Sequence, residues 1–218
     1  MTETGLRDEI CRVGASLYAR GYVHGSTGNI SARLDDGFLI TATDACLGTL
    51  EPARIAKVDA AGRSLDGARP SKTLVLHRRI YEADREAECI VHTHSSNLVR
   101  LSLQASGPSE DFIPPITPYF VMKVGHVPLI GYHRPGHPAV ADRVAEAIAV
   151  ARTRGAPIRA VMLARLGPNV WHDSLAAACA VLEELEETAR LWLDAEPRPV
   201  PLSEAQIDEL RAQFDARW

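Results

Sequence analysis

The 218 residues include no apolar run near the roughly 18 that a membrane-spanning helix needs. They include no cluster of Lys and Arg, and the net charge is -4, which argues against a nucleic-acid-binding face. Cysteine is scarce: Cys11, Cys46, Cys89 and Cys179 are scattered, with no Cys-x-x-Cys pair. That pattern suits reduced thiols filling small core positions. The opening "MTETGLRDEI" is polar and acidic, so neither a signal nor a transit peptide is expected. No internal repeat is visible. What is present, 46% hydrophobic and 24% charged residues, is ordinary globular composition. The expectation is a cytoplasmic protein of one main domain.

Leu6, Ile10, Val13 and Leu17 recur at helical spacing and Gly21 follows as a stop, so a first helix is legible. "HGSTGNISARL" reads as a small-residue loop entering a strand, and "GFLITAT" as an apolar strand with a polar end. Ser71 stands where it could cap a helix through Leu74, His77 and Ile80. "AECIVHTHSS" reads as a strand carrying both His92 and His94, and "GPSEDFIPPITPY" as loop. "HVPLIGY" is a short strand, and "HRPGHP" a turn into a helix with Pro138 near its first position, ending near Gly155. "IRAVMLARLGPNVWH" predicts two short strands joined at Gly167 and Pro168, after which Asp173 caps a long helix. "EPRPVP" is a stiff linker, and Ser203 with Gln206 forms a capping box for a last helix. Interspersed strands and helices predict an α/β fold with a central sheet flanked by helices. Residues 1–195 form the expected body, and 196–218 a Pro-rich linker and C-terminal helix.

Three stretches carry chemistry. Strand alternation puts His92 and His94 on one face, about 7 Å apart along the chain. They are either half of a metal site or a pair of hydrogen-bonded histidines in a polar cleft, since zinc sites take three or four protein ligands. "GSTGN", Gly25 to Asn29, offers unhindered backbone N–H groups, two hydroxyls and a carboxamide, which suits a phosphate or carboxylate as well as a tight turn. "ARPSK", Ala68 to Lys72, sets a hydroxyl and an ammonium at a helix start, for an anion or for simple capping. His77 reads as helix packing and His172 as a strand-end surface residue.

The order of "GSTGNIS", "TATDACLG", "PSKTLVLHRRIY", "VHTHSS", "PPITPYFVMKVG", "YHRPGHP" and "ARLGPNV" resembles the class II aldolase/adducin family. The resemblance runs from the first helix to the long helix after Asp173 and is strongest to the 3-oxo-tetronate 4-phosphate decarboxylase branch. It implies a mainly antiparallel β-sheet sandwiched between helices, and a homotetramer with active sites between subunits. It places His92 and His94 on two zinc-binding histidines, with manganese or iron as alternatives to zinc. It places Ser26, Thr27, Gly28, Asn29, Thr43, Ser71 and Lys72 on segments that hold a substrate phosphate. The implied chemistry stabilises an enediolate on a small oxo- or hydroxy-acid of carbohydrate metabolism.

Three positions depart from the family pattern. Thr73 stands where the catalytic glutamate belongs, Leu166 where the third metal histidine belongs, and Asp44 where the phosphate loop has a glycine. His24, His126, His133 and His137 are candidate replacement ligands, and Asp44 is the one nearby carboxylate for proton transfer. The first expectation is therefore a class II aldolase-type lyase, decarboxylase or aldolase, with an altered site and a small-molecule substrate. One rival is a non-catalytic member that binds little or no metal and serves as a ligand-binding or interaction protein. The other is an iron enzyme using His92, His94 and Asp44 as a 2-His-1-carboxylate set.

Overall fold

A computed structural model describes residues 1–66 and 68–218. Helix α1 (Glu3–Ala19) precedes strands β1 (Asn29–Leu34), β2 (Gly37–Ile40) and β3 (Ala56–Asp59). Then come α2 (Leu74–Ala83), β4 (Cys89–His92), α3 (Ser96–Ser102), β5 (Leu129–Ile130) and α4 (Pro138–Thr153). Strands β6 (Ala160–Leu163) and β7 (Gly167–His172) lead to α5 (Leu175–Asp194) and α6 (Glu204–Phe214). The seven strands form one sheet in the order β3-β2-β1-β4-β7-β6-β5, antiparallel except between β5 and β6.

Each sheet face is closed by helices, because strands with apolar residues on both faces need cover on both. Ile10, Leu17, Leu98 and Leu182, from α1, α3 and α5, pack with Ile30, Val91 and Val170 on one face. Leu76, Ile80, Val140 and Val144, from α2 and α4, pack with Ile40, Ile90 and Trp171 on the other. The second face is polar at one end, where the site lies. No helix among the described residues is long and apolar enough to cross a membrane.

Most predicted elements are present, including the Ser203/Gln206 capping box and Pro138 at the start of α4. Four local readings are corrected. Strand β4 stops at His92, so His94 lies beyond the sheet, and the two ring centroids are 5.1 Å apart. Ser71 does not cap α2. Its carbonyl accepts the Leu74 N–H at 3.1 Å in a turn, and Thr73 is the cap residue. Asp173 is engaged by His172, 2.6 Å from Nδ1, so Ser174 caps α5 by accepting from the Ala177 N–H. The β6–β7 turn is built on Arg165 at φ 65°, so Gly167 and Pro168 open β7 instead of forming the joint. Of the four free cysteines only Cys89 is buried.

Candidate active site

Register brings the site together. In the sheet Asn29 pairs with His92 across β1 and β4, and His92 pairs with Asn169 across β4 and β7. Directly paired residues share a face, so these three polar side chains form a row among apolar neighbours. Two glycines hold the frame. Gly28 sits at φ +82°, and a Cβ there would lie 2.6 Å from the Val23 side chain and 2.9 Å from the His92 carbonyl oxygen. Gly167 sits at φ +139°, and a Cβ there would lie 1.9 Å from the Thr93 carbonyl oxygen. Only glycine allows both the conformation and the approach.

The small-residue loop closes on itself before it reaches the row. Thr27 donates both its N–H, at 3.0 Å, and its hydroxyl, at 2.6 Å, to the His24 carbonyl. Thr27 thus shapes the loop, while Ser26, Gly28 and Asn29 line the cleft beside it. A bridge between Ala42 and Pro70, with the Ser71 N–H on the Thr41 carbonyl, draws Thr43 and Asp44 alongside Ser71 and Lys72. Asp44 has φ 61°, a left-handed conformation that Asp tolerates better than most residues. Its carboxylate lies 3.7 Å from Lys72 Nζ, and both side chains are exposed, so the pair is weak. The Thr73 hydroxyl donates to Asn29 Oδ1 at 3.0 Å and lies 3.0 Å from Ser71 Oγ.

His92 is buried, and its Nδ1–H donates to the Pro168 carbonyl at 2.8 Å, which leaves Nε2 as an acceptor. Burial, with His94 nearby, pushes its pKa down to about 4. Burial, with His24 nearby, also lowers that of His94. Both rings are therefore neutral at physiological pH. His77, deeper under the same face, lies 2.7 Å from Ser31 Oγ through Nδ1, and burial drives its pKa down to about 3.

All the predicted site residues except Thr27's engaged polar groups thus present themselves to one cleft of about 250 Å³, which Leu166 also lines. The predicted replacement histidines divide. His24 has its ring 6.3 Å from His94, and His137 caps α4 at the cleft wall. His126 instead stacks on Trp218 and bonds Asp111, and His133 bonds the Gly131 carbonyl. Both face a separate cavity. Among the described residues, no three His, Cys, Asp or Glu side chains converge as metal ligands. Leu166 packs against the apolar cluster under α2 and α4, and Asp44 stays with Lys72 at the exposed rim. The donor set does not fit a three-ligand metal centre, and the 2-His-1-carboxylate set is not assembled.

Two polar residues of the cleft are not among those expected from the sequence. Arg134, beside Gly136 at φ 73°, adds a second cation to Lys72. Asn169 is buried at the floor, and its signal was a lone carboxamide within the strand "GPNVWH".

Residues 8–193 match the family model described as Class II Aldolase and Adducin N-terminal domain. The chain is 56% identical to the 3-oxo-tetronate 4-phosphate decarboxylase of Cupriavidus necator, covering 100% of this chain and 99% of that one. It is 41% identical to the protein of the same name from Escherichia coli K12, covering 96% and 97%. The crystal structure of YgbL from Escherichia coli superposes with a TM-score of 0.87 at 39% identity, covering 96% of this chain and 99% of that one. The seven-stranded sheet, its two helical layers and this full-length similarity agree: the chain belongs to the class II aldolase and adducin family.

Proposed function

We propose that the protein is a carboxy-lyase acting on a small, phosphorylated 3-oxo acid. One observation carries this reading: the GSTGN loop, Ser71 and the Lys72 ammonium share one small cleft with two neutral imidazoles, and the expected glutamate position there is Thr73. Aldol cleavage and epimerisation both require a base to remove a proton. A 3-oxo carboxylate needs none to begin, because its own C–C bond supplies the electron pair. A hydroxyl at residue 73 is therefore compatible with decarboxylation, whereas aldol cleavage or epimerisation would have to draw its base from elsewhere in the cleft, such as His92 or His94.

In this reading Ser26, Gly28, Asn29, Thr43, Ser71 and Lys72 hold the phosphate, Thr27 shapes the loop, and Arg134 adds positive charge. Backbone N–H groups freed by glycine and a nearby ammonium are the usual partners of such an anion. His92, held neutral, keeps Nε2 as an acceptor on the cleft side of the sheet. Thr73 orients Asn29 through its 3.0 Å hydrogen bond. Asp44 carries no catalytic step and tempers the charge of Lys72. No step is assigned to a metal. The family's expected homotetramer is part of the proposal, and light scattering reads it directly.

The second reading, a ligand-binding member without turnover, is favoured by Leu166 and by the missing third ligand. Incubating the purified protein with a four-carbon 3-oxo acid 4-phosphate, while following CO2 release and binding heat, separates the two. Release above the spontaneous rate supports the lyase, binding without release supports the second reading, and neither signal overturns both.

A further inference from the structure

Among the described residues, Asn169 alone has two buried side-chain polar atoms without a hydrogen-bond partner. It is 1% exposed, it lines the cleft, and among the described residues neither Oδ1 nor Nδ2 has a hydrogen-bond partner. Buried amides are nearly always satisfied, so a carboxamide buried without a partner on either atom calls for one that arrives from outside. It is also held in place. Asn169 lies on β7 between its register partners His92 and Val161, and Gly167 locks the start of that strand against Thr93. A fixed donor–acceptor pair on the strand next to His92 can recognise an uncharged carbonyl and an adjacent hydroxyl.

We propose that Asn169 is a substrate-binding residue that holds the 3-oxo group, an inference that rests on the carboxy-lyase reading above. Nδ2–H donates to the oxo oxygen, and Oδ1 accepts from a neighbouring hydroxyl. In the reaction the bond from the carboxylate carbon to C2 breaks and CO2 leaves. The electron pair forms the C2–C3 double bond, and the carbonyl pair moves onto the oxygen held by Nδ2. Water then returns a proton to C2. A fixed donor aimed at the oxygen where charge develops stabilises that state more than the ground state. The phosphate is held elsewhere, at the Lys72 rim, so the two ends of the substrate are read by separate groups.

The test is Asn169→Val, with titration calorimetry against two probes, a stable four-carbon 3-hydroxy acid 4-phosphate and inorganic phosphate. Affinity for the four-carbon acid should fall about 10- to 100-fold, the effect of losing one or two hydrogen bonds. Affinity for inorganic phosphate should stay within about twofold, within the scatter of a site that keeps its contacts. Removing the unpaired amide should also raise the urea midpoint, whereas an asparagine kept for structure would lower it. Unchanged affinity for the four-carbon acid, or a lower midpoint, overturns the inference alone. A wild-type protein that binds neither probe overturns the carboxy-lyase reading and this inference together.

Discussion

Acidification should weaken the fold by an amount set largely by two buried imidazoles. His92 and His77 have pKa values pushed from 6.5 down to about 4 and about 3. The unfolded chain protonates both near 6.5. Between that value and about 3 the unfolded state thus binds more protons, and stability falls as pH drops. At pH 5 each histidine costs about 2 kcal/mol relative to pH 8, or about 4 kcal/mol together. That is a large fraction of a typical stability of about 5–15 kcal/mol. Urea unfolding followed by tryptophan fluorescence at pH 8, 7, 6 and 5 reads the slope, since Trp171 is buried on the same sheet face. His77→Gln removes one titrating ring, so the loss between pH 8 and 5 should shrink by about 2 kcal/mol, whatever the variant's stability at pH 8. Equal pH slopes for the two proteins would refute the reasoning.

Gly167→Ala sets a methyl 1.9 Å from the Thr93 carbonyl oxygen, and should destabilise by about 3 kcal/mol or more, measured by thermal melting. Leu166→His adds a third imidazole to His92 and His94 and should tighten zinc binding at least tenfold in a competition titration with a chromophoric chelator; unchanged affinity would refute the placing of residue 166 at a ligand position. Lys72→Met should raise the dissociation constant for inorganic phosphate about tenfold and flatten its salt dependence. Glu186 accepts from the Asn97 and Leu98 N–H groups at the start of α3, just past His94, so Glu186→Ala should speed amide hydrogen exchange there.

Much of the fold was legible because helices and strands here carry regular apolar spacing, with a strong stop signal at Gly21 and strong start signals at Pro138 and Ser203. The errors fall where tertiary contacts overrule local pattern. Nothing in "VHTHSS" says that β4 ends at His92, because that end is set by Gly167 pressing on Thr93 from 74 residues away in the chain. Ser71 and Asp173 are good capping residues by type, but their side chains are engaged by Thr73 and His172. Short β3 and α3 carry too few residues for a period to emerge. The residues that line the cleft were legible as a group through resemblance, and the departures at residues 44, 73 and 166 through simple chemistry. Asn169 was hidden because a single polar residue in a strand reads as surface until its neighbours across the sheet are known.

The two glycine contacts have a consequence for what this molecule can become. The strand end that carries His92 is gripped through its own carbonyls, by main chain on either side, without help from any side chain of the cleft. Residues 44, 73, 166 and 169 are therefore like tools in a holder that does not depend on them. Exchanging one alters what the cleft can do and leaves the frame unmoved. On such a chassis chemistry can drift faster than shape.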